Sequence, residues 1–168
     1  MAVALGTLFM VLGSVIEALD MTASALASLL VAIVYLEVGS PYTFLVWICT
    51  TILTAIFYPN SAMWLMYLLL FGIFPILKGY IERLPRPLWL LVKLAFGNIM
   101  MVLIFLGVTF LLGLPMDMDF FGLPMEAVYA IFVILANLAL VLYDRFLTVL
   151  ARFYLIKLHP VLNKVFKF

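Results

Sequence analysis

Charged side chains are scarce in this sequence, and their scarcity argues against a water-soluble fold. Asp, Glu, Lys and Arg make up 10% of the 168 residues, whereas soluble domains usually carry about 25%. A chain of this length would need many more of them to cover a surface that faces water. Hydrophobic residues account for 69% of the sequence, so the expected solvent for most of the chain is lipid.

Cysteine and histidine are almost absent, with one residue of each type. This excludes an internal disulfide and any metal site built from several cysteines and histidines. The sequence also has no G-x-S-x-G, H-E-x-x-H or P-loop pattern. We therefore expect a protein that is not an enzyme and has no catalytic residue, no metal site and no cofactor. A net charge of only +1 gives no reason to expect a nucleic-acid partner.

Long apolar runs are the main feature that is present. Backbone groups inside a bilayer must be paired within the protein, which leaves helices or a closed barrel. A barrel needs strands that alternate apolar and polar residues, but residues 94–114 and 127–143 are almost wholly apolar. The sequence predicts an all-α polytopic membrane protein, a bundle of six transmembrane helices near residues 2–16, 21–37, 42–58, 61–78, 90–114 and 125–151.

All lysines and arginines fall in two regions of the chain, around the connection between spans four and five and from residue 145 onward. Six spans place both regions on one side of the membrane, which the positive-inside rule makes cytoplasmic. We therefore expect a multi-pass protein of the plasma membrane with both termini in the cytoplasm.

The C-terminal segment alternates apolar residues with Arg and Lys at helical spacing. This pattern is typical of a helix that lies along the cytoplasmic leaflet. We expect a transmembrane domain at residues 1–151 and a basic amphipathic tail at residues 152–168. The alternative is a straight extension of the last span.

Polar residues at the end of span four lie one helical turn apart. Lys78 and Glu82 can pair on one helix face, with Arg83 beside them. One interpretation is a coupling or docking element for a partner protein. The other is that the cations simply extend to the lipid headgroups.

Span six carries Asn137 and Asp144 seven residues apart and therefore on one face. This face should look into the bundle, with Asp144 near Lys93 or Asn98 of span five. We expect a structural polar contact, and a proton or ion relay is the alternative. Glu37, at the cytoplasmic end of span two, has no cation near it in the sequence.

Two further sets of residues have more than one interpretation. Ala23 and Ala27 form a small-xxx-small pair, which suits close helix packing or a partner interface. Aromatic residues near the outer ends of the spans suit membrane anchoring or a pocket for a planar ligand. The candidate pocket residues are Tyr58, Trp64, Tyr67 and Tyr129, together with Asn137.

The order of features resembles the six-helix S components of energy-coupling-factor transporters. The shared features are an outer connection EALD, a small-residue second span TASALASLLVAIVYLEVG, proline-punctuated third and fourth spans, and a basic loop before span five. The resemblance implies a substrate-binding membrane subunit for a small nutrient such as a vitamin. It also implies a separate membrane coupling subunit and separate ATPases as partners.

Two other functions remain open at the level of sequence. The first is a scaffold or assembly protein of a cell-envelope complex, which would use the basic loop and tail as docking surfaces. The second is a small channel or proton-coupled carrier that uses Asp144, Glu37 and Lys78.

Overall fold

The chain folds into an all-α bundle, as its sequence predicts. The computed structural model describes residues 1–14, 19–113 and 125–158, except for the side chains of residues 125 and 158. This part of the chain contains six helices and no strand. They are α1 (Ala2–Ser14), α2 (Asp20–Val38), α3 (Ser40–Phe57), α4 (Met63–Ile81), α5 (Arg86–Leu111) and α6 (Met125–Phe153, continued by a π-helical turn, Tyr154–Leu158).

Five of these helices, α2 to α6, are long and apolar enough to cross a membrane. Helix α1 has 13 residues and is therefore about 20 Å long at 1.5 Å per residue. The hydrocarbon layer is about 30 Å thick, so α1 is short for a span, as the sequence indicates. The described helices match the predicted spans to within a few residues, and residues 15–18 and 114–124 lie outside the described part.

Glycine and proline set several of the helix boundaries. Gly39 separates α2 from α3 with a φ of 88°, a conformation that suits glycine because it has no Cβ. Pro41 and Pro87 lie in the first turns of α3 and α5, where the missing N–H of proline breaks no helical hydrogen bond. The glycine and proline residues between the apolar runs thus lie at turns between helices.

Helix α4 is irregular in its middle. Regular helix at Met63–Met66 gives way to a π-helical turn at Tyr67–Phe71, and regular helix resumes at Phe74–Ile81. In the π-helical turn the Gly72 N–H donates to the Tyr67 carbonyl oxygen at 2.8 Å, five residues back. Turns of this type recur at functional sites.

The buried core has two parts. The N-terminal part joins α1, α2, α3 and one side of α4, and the C-terminal part joins α4, α5 and α6. Residues at the centre of the first part include Met10, Ala27, Val31 and Met63. Those of the second include Leu70, Phe74, Ile104, Leu140 and Leu147.

One end of the bundle collects the basic residues, and we call it the basic end. Contacts between Lys78, Lys93 and Asp144 place the α4–α5 connection beside the second half of α6. Tyr154 of α6 donates to Glu37 at 2.6 Å, which places the end of α2 there as well. As far as residue 158, the two basic regions of the sequence therefore meet at one end of the bundle, as six antiparallel spans require.

Helix α6 runs without a break through the predicted domain boundary at residue 151. Its regular part ends at Phe153 and its π-helical turn at Leu158. Residues 152–158, the described part of the predicted tail, are thus helical and continuous with the last span. The rest of the predicted tail, residues 159–168, lies outside the described residues.

Candidate functional site

An ion-pair cluster joins α4, α5 and α6 at the basic end. Lys78 and Glu82 come from α4, Lys93 from α5 and Asp144 from α6. Lys78 Nζ lies 2.9 Å from Glu82 Oε1 and also contacts Asp144 Oδ1. Lys93 Nζ lies 2.7 Å from the same Asp144 oxygen and 3.2 Å from Glu82 Oε1. These four residues, called the charge cluster below, form a closed ring of four ion pairs.

The charge cluster combines two buried lysines with two partly exposed carboxylates, Glu82 at 34% and Asp144 at 21% exposure, and it has no net charge. The side chains of Lys78 and Lys93 are 10% and 7% exposed. Lys78 Nζ also donates to Thr148 Oγ1 at 2.8 Å and to the Asp144 carbonyl oxygen at 3.2 Å. Because each cation is balanced by a carboxylate, the cluster leaves no net charge to attract an ion. Its geometry suits a clamp that fixes three helices relative to one another.

A reciprocal amide pair lies further along the same face of α6. Asn98 Nδ2 donates to Asn137 Oδ1 at 3.0 Å, and Asn137 Nδ2 donates to Asn98 Oδ1 at 3.1 Å. Each amide also donates to a carbonyl oxygen one turn back in its own helix. Both amides are therefore fully engaged between α5 and α6. Asn137, a candidate ligand contact, is occupied by this pair.

Tyr143 links α6 to α2 and α4. Its hydroxyl contacts Ser28 Oγ and donates to the Phe71 carbonyl oxygen at 3.4 Å. Phe71 lies four residues before Pro75, which has no N–H to donate to that carbonyl. The tyrosine therefore supplies a hydrogen bond to a carbonyl that Pro75 cannot bond.

A second set of polar side chains lies in the N-terminal part of the core, and most of them have no partner. Five buried side-chain polar atoms there have no hydrogen bond of normal geometry within the described residues. They belong to Thr7 of α1, Ser24 of α2, Trp47 and Thr50 of α3, and Tyr67 of α4. We call these five residues the interior polar cluster.

Contacts place Thr50 and Tyr67 of the interior polar cluster close together. The Tyr67 and Thr50 hydroxyls face each other, although without normal hydrogen-bond geometry. A Cβ on Gly6 would lie 3.2 Å from Thr50 Cγ2, so α1 approaches α3 closely next to Thr7. Tyr67 also lies at the start of the π-helical turn of α4. Thr50 and Tyr67 therefore meet at the interface of α1, α3 and α4.

The other threonines of α3 show that the free hydroxyls are not a general feature of the helix. Thr43, Thr51 and Thr54 each donate to the carbonyl oxygen four residues earlier. Thr50 and Thr54 are both completely buried. Thr54 Oγ1 donates within its own helix, whereas Thr50 Oγ1 faces the Tyr67 hydroxyl without a hydrogen bond of normal geometry. This difference provides a matched pair of positions for experiments.

The other candidate pocket residues are dispersed. Tyr58 and Tyr129 are 36% and 44% exposed, whereas Tyr67 is completely buried. The Trp64 indole donates to the Pro59 carbonyl oxygen at 3.1 Å, within its own chain turn. Of the five candidates, Tyr67 alone belongs to the interior polar cluster.

The candidate coupling residues divide into an inner and an outer group. Ala23 and Ala27 are buried between helices, and a Cβ on Gly13 would lie 2.2 Å from that of Ala23. Ala23 therefore packs α2 closely against α1. Lys78 and Glu82 belong to the charge cluster. Arg83 is exposed, with its guanidinium 5.2 Å from the centre of the Tyr80 ring.

Sequence reasoning found the polar pairs but missed two larger arrangements. It predicted the pairing of Lys78 with Glu82 and placed Asp144 near Lys93. The closed ring requires Lys78 to meet Asp144, 66 residues away in the chain, and no local spacing encodes that contact. The interior polar cluster was also missed, apart from Tyr67. The sequence feature that could have indicated this cluster is the presence of four threonines in the otherwise apolar helix α3.

No protein-family model matches the chain, and no curated protein or solved structure is significantly similar to it. The resemblance to S components therefore depends on the order of sequence features alone.

Proposed function

We propose that this chain is the substrate-binding membrane subunit of an uptake transporter for a small nutrient such as a vitamin. It would work with a separate membrane coupling subunit and separate ATPases, as the S components of energy-coupling-factor transporters do. The observation that carries the proposal is the interior polar cluster, in which polar groups are buried between helices without hydrogen bonds of normal geometry.

Polar groups without partners are costly inside a membrane protein. A buried donor or acceptor left unsatisfied costs about 1–3 kcal/mol, and lipid offers no water to replace the missing partner. Such residues in transmembrane segments commonly mark binding sites or transport routes. A bound polar molecule that supplied the missing partners would remove this cost.

The proposed orientation follows from the basic end of the bundle. We assign the basic end to the cytoplasm and the protein to the plasma membrane, because cytoplasmic loops carry the excess of Lys and Arg. Coupling subunits and ATPases would then meet the exposed cations of this end, among them Arg83 and Arg86.

Copurification tests the proposal directly. The full chain is purified in mild detergent from its native membranes, and small molecules released by denaturation are identified by mass spectrometry. We expect a vitamin-sized compound, and membrane and ATPase subunits in the same preparation. Preparations without a small molecule and without partner subunits would contradict the proposal.

A scaffold function is the second candidate, and the length of α6 favours it. The candidate span in this helix, Glu126–Lys157, has 32 residues, or about 48 Å at 1.5 Å per residue, against about 30 Å of hydrocarbon. Unless it tilts strongly, α6 extends beyond the membrane at the basic end and offers a docking surface. Crosslinks from Arg152 to cell-envelope assembly proteins would support this function, and crosslinks to ATPase subunits would support the transporter.

A further inference from the structure

We infer that the interior polar cluster binds an uncharged ligand that carries at least one hydrogen-bond acceptor. This inference rests on the proposed function and specifies the class of its substrate. It also moves the site from the dispersed outer aromatics to the interface of α1, α3 and α4.

The distribution of charge around the cluster requires a neutral ligand. Helices α1 and α3 contain no charged residue, and α4 contains none before Lys78. Helix α2 carries charge only near its two ends, at Asp20 and Glu37. The charge cluster is already balanced by its own ion pairs. An ionised ligand at Thr50 would therefore be buried without a counter-ion, which is strongly unfavourable.

The chemistry of the five side chains specifies complementary groups on the ligand. The hydroxyls of Thr7, Ser24, Thr50 and Tyr67 can each donate or accept a hydrogen bond. The indole N–H of Trp47 can only donate, so the ligand must present an acceptor such as a carbonyl or ring nitrogen. Neutral amides, lactams and hydroxylated heteroaromatic rings meet these conditions.

Access to the cluster requires α1 to separate from α3, because the two helices touch beside Gly6. Helix α1 is the element best suited to move. Within the described residues its side chains form no hydrogen bond or ion pair with another helix. Ser14 Oγ donates to the Val11 carbonyl oxygen, which lies in α1 itself. The C-terminal helices, in contrast, are joined by the charge cluster and the amide pair. Opening at α1 would leave those contacts intact.

A competition between neutral and ionised probes tests the inference. The purified full chain in nanodiscs is incubated at neutral pH with a mixture of water-soluble vitamins, including nicotinamide and nicotinate as a neutral and an anionic form of one ring. After washing, the bound molecules are released and quantified by mass spectrometry. We expect only neutral members of the mixture to be retained.

Matched variants locate the site. Thr50→Val should reduce the retained ligand at least tenfold, whereas Thr54→Val, at an equally buried threonine bonded within its own helix, should leave it within twofold. Tyr67→Phe removes one hydroxyl with little change in shape and replaces Thr50→Val if that variant does not fold. Retention of an ionised probe, or of a neutral probe by all variants alike, would overturn the inference but not the proposed function. Retention of no probe at all would count against the proposed function itself.

Discussion

At the residue scale, the two groups of buried polar side chains differ in whether their hydrogen bonds are satisfied. In the charge cluster every charged group has an opposite charge within ion-pair distance. In the interior polar cluster, polar atoms lie buried without a bond of normal geometry. The first arrangement stabilises the bundle, and the second carries a cost in the empty protein. Substitutions should therefore have opposite effects in the two groups.

Lys78→Met should destabilise the protein. It leaves Glu82 and Asp144 with a single lysine and gives the buried cluster a net negative charge. Breaking a fully buried ion pair costs roughly 3–5 kcal/mol. We expect a loss at or below the lower end of that range, because Lys93 remains and both carboxylates are partly exposed. Thermal unfolding in detergent measures the effect. Arg86→Met, at an exposed position of the same end, is the control and should change the stability by less than about 0.5 kcal/mol.

Tyr67→Phe should stabilise the ligand-free protein. It removes a completely buried hydroxyl that has no normal hydrogen bond. Removing this group should raise the free energy of unfolding by about 1 kcal/mol or more. Tyr143→Phe is the matched comparison, because its hydroxyl bonds to Ser28 and to the Phe71 carbonyl. We expect this variant to lose about 0.5–1.5 kcal/mol. Equal losses in the two variants, compared by thermal unfolding, would mean that Tyr67 is satisfied after all.

At the element scale, α1 differs from the other helices in how it is held. It packs on α2 and α3 through small residues and is the shortest of the six. Its attachment therefore depends on close backbone approach rather than on polar contacts. Side-chain volume at the contact should control whether α1 stays in place.

Gly13→Leu should detach α1 from α2. A Cβ at this position would lie 2.2 Å from that of Ala23, and added volume in a tight contact typically costs about 1–3 kcal/mol. To measure the detachment, a cysteine is placed at Thr7 in a variant without Cys49. The rate at which a thiol reagent labels this cysteine should rise when α1 detaches. Ala4→Leu adds similar bulk on the exposed face of the same helix. If both variants label at the same rate, tight packing does not hold α1.

At the scale of the whole molecule, the basic end gives the bundle a direction. In Cys49→Ala protein, a cysteine at Arg83 should react with a membrane-impermeant thiol reagent only after the cells are permeabilised. A cysteine at Tyr58, at the opposite end of the bundle, should react in intact cells, because the positive-inside rule places the basic end in the cytoplasm. The reverse labelling pattern would invert the proposed orientation. It would also remove the proposed route to cytoplasmic ATPases.

The sequence by itself determined the features that depend on composition and local order. Scarce charge and long apolar runs require lipid as solvent, and proline and glycine mark several of the helix ends. The spacing of Lys78 and Glu82 predicted their contact because residues four apart lie on one helix face. These properties arise within one segment of the chain at a time.

Only the tertiary structure decided which polar groups meet across helices. The ring formed by Lys78, Asp144, Lys93 and Glu82 combines residues from three helices. The free hydroxyl of Thr50 is distinguished from the bonded one of Thr54 by geometry and not by residue type. The physical reason is that helix packing, which sets these contacts, depends on side-chain shapes along whole helices. Local spacing in a single sequence does not contain that information.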